Sequence, residues 1–272
     1  MMVGKSRADI ALYSKGLSDS REKAQALIMA GLVYSNGRKV EKPSTILSTD
    51  DDIVVKEPVH PYASRGGCKL EKALRVFNIK VTGHIVMDIG AAAGGFTDVL
   101  LCNGAKHVYA IDVGYGQLNW RIRNDPRVTV MERLNARYLK PCHLPQKPNI
   151  TVMDVSFISV RLIIPVAAAL MEEDGAFIVL IKPQFEVGKD KVPKSGVIRD
   201  RSIHKDAILS ITNFFNQIGW YIHGLDYSPI TGPKGNIEFL AWAKKEPCAN
   251  VLASQESIQS LVDKAHSQLL KA

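Results

Sequence analysis

The chain has 272 residues, of which 46% are hydrophobic and 23% are charged. This length and composition suit one large or two modest domains with a buried core, and they exclude collagen-like, coiled-coil and disordered chains. Lysine and arginine number 35 against 27 aspartates and glutamates, a net charge of +8, and this balance favours a polyanionic partner such as nucleic acid or an anionic surface.

The sequence predicts a cytoplasmic protein without a transmembrane segment. Its longest apolar run, Leu162 to Met171, is interrupted by Pro165 and is about half of the ~20 residues that a spanning helix needs. The amino terminus carries charge where a secretory signal needs an apolar core. Four widely spaced cysteines do not form a metal knuckle or a redox pair, so we expect reduced thiols. They are Cys68, Cys102, Cys142 and Cys248.

Residues 1–60 are predicted to form a small α+β domain. Residues 7–15 have the pattern of a short helix, and Ser20 is placed to cap a second helix that ends at Gly31. Asn36-Gly37, the strongest short hairpin signal, separates two short β-prone segments. A further strand at residues 52–56 completes a helix–helix–sheet unit that is rich in basic residues.

After this unit, over residues 61–246, strands alternate with helices. Seven strands are predicted, at 84–89, 107–111, 128–131, 150–153, 177–181, 221–225 and 237–243, and helices at 95–101, 160–171 and 203–218. This alternation indicates an α/β domain with a doubly wound, Rossmann-like sheet. Apolar residues at helical spacing predict a tail helix in residues 247–272, packed on this domain or on a partner.

Residues 86–97 read V-M-D-I-G-A-A-A-G-G-F-T, a strand that runs into a glycine-rich turn and then a helix. Small residues let a ligand approach the backbone, and the free N–H groups at a helix start can bind a carboxylate or phosphate. The next strand ends in Asp112, whose carboxylate can accept both hydroxyls of a ribose. The alternative interpretation is a turn needed only for helix–sheet packing.

The spacing of the turn, G-x-x-x-G-G, departs from the dinucleotide fingerprint G-x-G-x-x-G, which leaves S-adenosylmethionine as the natural cofactor candidate. The candidate cofactor residues are Asp88, Gly90, Ala91, Gly94, Gly95, Phe96, Asp112 and, after the third strand, Asn135.

Ionisable residues stand at the ends of further strands. Asp154 and Lys182 each follow a predicted strand, and Glu238 lies near the start of what is expected to be an antiparallel last strand. Lys69 opens the helix that precedes the first strand. Because ligands of open parallel sheets bind beyond the carboxyl ends of the strands, these side chains are expected in the same crevice as the cofactor.

At these positions the chain resembles the TlyA or haemolysin A family of ribosomal RNA 2′-O-methyltransferases. The resemblance is carried by S-R-G-G-C-K-L, D-I-G-A-A-A-G-G-F-T-D, M-D-V-S-F-I-S, I-K-P-Q-F-E and P-I-T-G-P-K-G-N-I-E-F. It implies an FtsJ-like domain with a Lys-Asp-Lys-Glu tetrad, matched by Lys69, Asp154, Lys182 and Glu238, that methylates cytidine riboses in rRNA of one or both ribosomal subunits. The amino-terminal unit is similar to the S-four type RNA-binding module of ribosomal proteins.

The family usually has Ser-Thr where this chain has Ala92-Ala93, which removes hydroxyls that could bind the cofactor. A ribose 2′-hydroxyl is a weak nucleophile that must be aligned with the methyl group and must lose its proton. We therefore assign Lys182 as the base or as the group that orients the hydroxyl. Asp154 and Glu238 would fix the geometry.

Several further residues are candidates for contacts with RNA. Phe157 and Phe185 follow the catalytic strands and could stack on a flipped base, although an aromatic side chain beside a sheet is more typical of a core. The candidate phosphate-binding residues are Arg7, Arg21, Lys23, Arg38, Lys39 and Arg65. Seven histidines show no metal-ligand spacing, so no zinc is predicted.

Three functions remain open from the sequence. The first is an rRNA methyltransferase, which the tetrad favours. The second is a membrane-lytic haemolysin, as the older family name suggests, and the third is an RNA-binding assembly factor that has lost the chemistry. The sequence does not predict the modified nucleotide, the subunit or the oligomeric state.

Overall fold

The computed structural model describes residues 4–18, 20–29, 31–56, 61–248 and 254–270. The chain forms two compact units, Met1–Pro61 and Tyr62–Ala272. In the described parts of the chain, no helix is both long and apolar enough to cross a membrane.

The first unit combines two helices with short antiparallel strands. Its elements are β1 (Lys5–Arg7), α1 (Ala8–Ser14), α2 (Arg21–Met29), β2 (Val33–Ser35), β3 (Arg38–Lys39), β4 (Ile46–Ser48) and β5 (Ile53–Val55). Strand β2 lies between β3 and β5, and β1 pairs with β4. Apolar residues of both helices and of the strands, Leu12, Ile28 and Val33 among them, form one buried cluster.

The local signals of the first unit act as predicted. The Ser20 hydroxyl accepts a hydrogen bond from the Lys23 backbone N–H at 3.1 Å, so Ser20 does cap α2. Asn36 and Gly37 both have positive φ, 49° and 77°, as the hairpin turn requires. The first helix starts one residue later than predicted, because Arg7 is paired with Ile46 in the two-stranded sheet.

The second unit is built on a seven-stranded sheet. Its helices are α3 (Gly67–Val76), α4 (Gly95–Cys102), α5 (Trp120–Arg123), α6 (Ile164–Leu170), α7 (Pro183–Glu186), α8 (Arg201–Gln217) and α9 (Gln255–Leu269). Its strands are β6 (Ile85–Ile89), β7 (His107–Ile111), β8 (Val128–Met131), β9 (Ile150–Met153), β10 (Ala176–Ile181), β11 (Tyr221–Tyr227) and β12 (Phe239–Lys244).

The sheet has the order β11-β12-β10-β9-β6-β7-β8. The five strands from β10 to β8 run parallel, and β12 is antiparallel to both β10 and β11. Consecutive residues of the central strand, Val86 and Met87, belong to apolar clusters on opposite faces. Helices cover both faces, which confirms the predicted Rossmann-like α/β fold.

Several elements differ in their bounds from the sequence-based prediction, and two of these differences bear on the site. The helix predicted at 160–171 begins as a 3₁₀ turn, Val160–Leu162, and α6 starts only at Ile164, because Pro165 fits the first turn of a helix. The last strand starts at Phe239, so Glu238 precedes it. The tail helix α9 is capped by the Ser254 side chain and packs on α8 and β11 of its own unit.

Candidate active site

The four tetrad residues come from four separate elements and meet at the carboxyl edge of the parallel strands. Lys69 is the third residue of α3, Asp154 follows β9, Lys182 follows β10, and Glu238 immediately precedes β12. Because β12 runs antiparallel to β10, its start lies beside the end of β10. The fold thus brings together all four side chains that the sequence singled out.

The tetrad is a continuous chain of ion pairs. The Asp154 carboxylate lies between the two lysines, with Oδ1 2.5 Å from Lys182 Nζ and Oδ2 3.3 Å from Lys69 Nζ. Lys69 Nζ also lies 2.7 Å from Oε2 of Glu238. The Glu238 and lysine side chains are 2–8% exposed and that of Asp154 is 17% exposed, so the cluster is shielded from water except around Asp154.

Burial and charge pairing shift the pKa values of Asp154 and Lys69 in opposite directions, and charge pairing has the larger effect. Burial by itself raises the pKa of Asp154, but the charges of Lys69 and Lys182 outweigh it and hold that pKa below its usual value. Burial lowers the pKa of Lys69, while Asp154 and Glu238 more than compensate and raise it. Asp154 and Lys69 therefore stay charged near neutral pH and fix the positions of their neighbours.

Two residues that were not predicted from the sequence contact this cluster or its loops. The Ser156 hydroxyl lies 2.9 Å from Lys182 Nζ and gives this amine a second partner beside Asp154. Glu186, the last residue of α7, is 5% exposed, and burial raises its pKa. The only signal for either residue was its place in a motif, M-D-V-S-F or I-K-P-Q-F-E, because a buried glutamate without an adjacent cation is not predictable from spacing.

The prediction that Phe157 is more typical of a core position is wrong. Its side chain is 91% exposed, and its backbone has a φ of 65° in the left-handed region. The ring lies 5.2 Å from that of Phe185, which is half-buried. A preference for burial predicts a core position for an aromatic residue, but the left-handed turn directs this ring to the solvent just after the strand that ends in Asp154.

The glycine-rich turn adjoins the tetrad directly. Gly90 has a φ of 88°, and a Cβ at this position would lie 2.6 Å from the carbonyl oxygen of Asp154. Gly94 has a φ of 90°, and its Cβ would meet Ile122 and Leu118 rather than the open crevice. Gly90 therefore allows the close approach of two strand ends, and Gly94 allows packing of the loop that follows β7.

Asp88 is the most unusual residue of the turn. It is fully buried, its Oδ2 accepts a hydrogen bond from Thr97 Oγ1 at 2.6 Å, and its Oδ1 has no partner among the described residues. Burial raises the pKa of Asp88 to about 7, helped by the negative charges of Asp154 and Asp112. The other two candidates here, Ala91 and Phe96, are buried in the apolar cluster on one face of the sheet, where Gly95 packs against Ser64.

Asp112 lies at the end of β7 and faces the turn. Its Oδ2 accepts the Ala92 N–H at 2.8 Å, and its Oδ1 accepts the Gly114 N–H at 2.7 Å. Ala92 itself has a φ of 47°, so this position contributes its backbone where the family usually has a hydroxyl. Asn135 caps a 3₁₀ turn after β8 by accepting the Arg137 N–H at 3.1 Å.

These residues fit an S-adenosylmethionine site. Buried Asp88 has an acceptor oxygen without a donor among the described residues, and the half-buried Asp112 carboxylate beside the turn keeps lone pairs that a ribose hydroxyl can share with the backbone N–H groups. In such a site the cofactor supplies an electrophilic methyl group. Among the described residues no cluster of His, Cys, Asp or Glu suits a metal ion.

Replacing Asp112 with alanine is expected to weaken S-adenosylmethionine binding about tenfold or more, because the ribose loses a charged acceptor and Ala92 loses the partner that fixes the turn. Isothermal titration calorimetry measures this change. The matched control is Asp125→Ala, which removes a half-buried loop carboxylate paired with Arg127 and should leave cofactor affinity unchanged. Equal affinity of the Asp112→Ala variant and the wild type would place the cofactor elsewhere.

Two of the candidate RNA-binding arginines have a structural partner. Asp9 is fully buried and lies 3.0 Å from the Arg7 guanidinium and 3.4 Å from that of Arg21, with Gln25 donating a further hydrogen bond. The hydrogen bond from Arg7 lowers the pKa of Asp9 strongly. Arg38 and Lys39 are exposed on β3, Lys23 on α2, and Arg65 just before α3. The structure therefore gives Arg7 and Arg21 a role in the fold of the first unit.

Comparison with known proteins agrees with this architecture. The FtsJ-like methyltransferase family matches residues 62–245, and the S4 domain matches residues 6–53. The chain is 40% identical to the 16S/23S rRNA (cytidine-2′-O)-methyltransferase TlyA of Mycobacterium tuberculosis, over 98% of this chain and 99% of the relative. It is 42% identical to hemolysin A of Brachyspira hyodysenteriae, over 86% of this chain and 98% of the relative.

A solved structure shows the same arrangement. The structure of a protein from Streptococcus thermophilus that is named as a hemolysin superposes on this chain with a TM-score of 0.76. The two sequences are 43% identical, and the match covers 98% of each chain. These matches extend over both units. The chain therefore belongs to the TlyA/hemolysin A family, in which an S4 domain precedes an FtsJ-like methyltransferase domain.

Proposed function

We propose that this protein transfers a methyl group from S-adenosylmethionine to the 2′-hydroxyl of a cytidine ribose in ribosomal RNA. The observation that carries the proposal is the assembled tetrad beside the glycine-rich turn. A relative that is 40% identical is named for this reaction. The buried ion pairs support an active enzyme over an assembly factor that has lost its chemistry, since nothing in the tetrad is missing.

Within this reaction the Lys182 amine orients the attacking hydroxyl or, once it has itself lost a proton, receives the hydroxyl proton. Asp154 and Ser156 hold the Lys182 amine from two directions, at 2.5 and 2.9 Å. Lys69 and Glu238 complete the chain of charges and keep Asp154 from turning away. The half-open side of the cluster lies around Asp154, the member with the greatest exposure, so the ribose enters there.

The domains divide the work. Residues 1–60 bind the ribosomal RNA, residues 61–246 bind the cofactor and catalyse transfer, and helix α9, within the predicted tail of residues 247–272, supports the catalytic domain by packing on α8 and β11. Phe157 is exposed beside the catalytic cluster, and an exposed aromatic ring at such a site suits stacking on an unpaired base. Ribosomal subunits are the partner, and the protein works in the cytoplasm.

The test is methyl transfer from labelled S-adenosylmethionine to purified ribosomal subunits, followed by mapping of 2′-O-methyl groups in rRNA from cells with and without the gene. We expect methylation of cytidine riboses that depends on the protein and is lost in the Lys182→Ala variant. Absence of transfer to either subunit by wild-type protein, or equal transfer by the variant, would contradict the proposal. Mapping also identifies the nucleotide and the subunit.

Double replacement of Arg38 and Lys39 with alanine is expected to weaken binding to rRNA and to reduce the slope of log affinity against log salt by about one for each phosphate that the protein no longer neutralises. These two residues are the cleaner probes because Arg7 and Arg21 also pair with buried Asp9. Fluorescence anisotropy over a range of salt concentrations measures the slope. The control is Lys106→Ala, just before β7 at the edge of the sheet where the parallel strands begin, and a slope equal to that of wild type in the double variant would remove β3 from the RNA interface.

A further inference from the structure

The loop between β9 and the 3₁₀ turn at Val160 holds an energetically unfavourable conformation. Phe157 has a φ of 65°, and for a bulky residue the left-handed region is costly and persists only where the surroundings impose it. The exposed ring makes one aromatic contact, with Phe185 at 5.2 Å, which is too little to impose a backbone conformation. Other groups must therefore fix this loop.

Glu186 is the residue that reaches across to the loop. Its Oε2 accepts a hydrogen bond from the Ser159 hydroxyl at 2.6 Å, and its Oε1 accepts the Val160 backbone N–H at 3.0 Å. The Arg161 guanidinium donates to the Glu186 backbone carbonyl at 3.1 Å. All three bonds join the segment that follows β10 to the segment that follows β9.

The carboxylate that joins the two loops is buried, and its burial costs desolvation free energy. The side chain of Glu186 is 1% exposed, and the nearest cation, Arg161, lies 3.8 Å from its Oε2. Desolvation of such a group costs free energy that hydrogen bonds only partly return. The two loops that it joins carry Ser156 and Phe157 on one side and Lys182 and Phe185 on the other, so its bonds hold the loop of Phe157 against the segment that follows Lys182.

We propose that Glu186 is a positioning residue for RNA, which clamps the loop so that the Phe157 ring stands beside Lys182 ready to stack on the base of the target nucleotide. The inference rests on the proposed function, because it requires an RNA substrate whose base leaves its stack. Glu186 acts only through Phe157 and does not touch substrate.

A double-mutant cycle tests this coupling. Phe157→Ala is expected to raise the KM for ribosomal RNA about tenfold, within the range measured for the loss of one base–aromatic stack. Glu186→Ala is expected to raise KM by a similar factor and to change kcat less than about threefold. In the Phe157→Ala background the added Glu186→Ala change should raise KM less than about twofold, since the ring that it positions is already gone.

Three further variants separate positioning from general loss of structure. Glu186→Gln keeps an oxygen for the Val160 N–H but turns an amide donor toward the Ser159 hydroxyl, which donates to Glu186 and already accepts from Arg161, so KM should recover only part of the way to wild type. Ser159→Ala removes one bond from the loop side and should reproduce part of the effect. Ser210→Ala removes a hydrogen bond of 3.1 Å from Arg161 on the side of α8, and it should leave KM unchanged.

An equal rise of KM on Glu186→Ala in both backgrounds would overturn the inference while methylation by wild type keeps the proposed function. If wild type methylates no rRNA, the proposed function fails and this inference falls with it. Melting temperature and calorimetric cofactor binding report folding of each variant. If Glu186→Ala does not fold, the same cycle with Ser159→Ala decides the question.

Discussion

The Lys182→Ala variant should transfer methyl groups about 10³-fold more slowly than wild type and bind S-adenosylmethionine with unchanged affinity. General acid–base groups contribute rate factors of this order, and Lys182 is the tetrad cation that has both a carboxylate and a hydroxyl partner. Asp154 keeps Lys69 as a partner in the variant, so its carboxylate still has a cation beside it although the cluster then carries one excess negative charge. The measurement is single-turnover methyl transfer to ribosomal subunits.

Lys182→Arg should be as inactive as Lys182→Ala, because a guanidinium retains its proton at any accessible pH and is too large for a site that is 8% exposed. The matched control is Lys72→Ala, which removes a lysine of α3 that pairs with Asp226 at 3.2 Å and lies outside the tetrad. It should lower stability modestly and leave the rate of transfer intact. Substantial turnover by Lys182→Arg would show that proton removal is not the role of this amine.

The Asp154→Asn variant should lose both activity and about 3 kcal/mol of unfolding free energy. Removal of one member of a buried ion pair leaves the partner charge uncompensated, and here one carboxylate serves two lysines. Urea denaturation measures the loss. A second change, Lys182→Met, should restore much of the stability without restoring activity, and additive losses in the double variant would contradict the ion-pair explanation.

The pH dependence of this loss follows from the signs of two shifts. The pKa of Asp154 is lowered, so its contribution to stability is present above the usual value of 3.8 and is lost as the pH falls through the lower value. The pKa of Lys69 is raised, so its contribution is present below 10.5 and is lost as the pH rises through the higher value. The difference between wild type and Asp154→Asn should thus be constant between about pH 8 and pH 9 and should grow as the pH falls through about 7, because Asp88 takes up a proton there and no longer repels the Asp154 carboxylate.

Apolar runs and turn residues were sufficient to predict most of the fold. Each of the seven strands of the sheet overlaps a predicted one, because buried parallel strands are continuous apolar segments and the sequence marks their ends with Gly, Asp or Lys. The pair β1–β4 was missed because three-residue strands carry no periodicity. The break before α6 follows from Pro165, which in the sequence stands out only as an interruption of an apolar run.

The sequence predicts the site residues that stand at strand ends. It does not predict those whose surroundings depend on the conformation of a loop. The edge of the sheet gathers Lys69, Asp154, Lys182 and Glu238, as the topology requires. Phe157 was misjudged because general burial preferences take no account of a left-handed residue. Glu186 escaped notice because glutamate is normally a surface residue, and only the three-dimensional contact with Ser159 and Val160 shows why this one is buried.

The antiparallel strand β12 has a consequence for biosynthesis. It is the last strand of the sheet to be synthesised, yet it lies between β10 and β11 and brings Glu238 to Lys69. While β12 of a nascent chain is still inside the ribosome, Lys69 lacks one of the two carboxylates that stabilise it. The edge of β10 that pairs with β12 is then unpaired. We therefore expect activity only after β12 has left the ribosome, and a product terminated before β12 should be inert toward the RNA of the ribosome that made it.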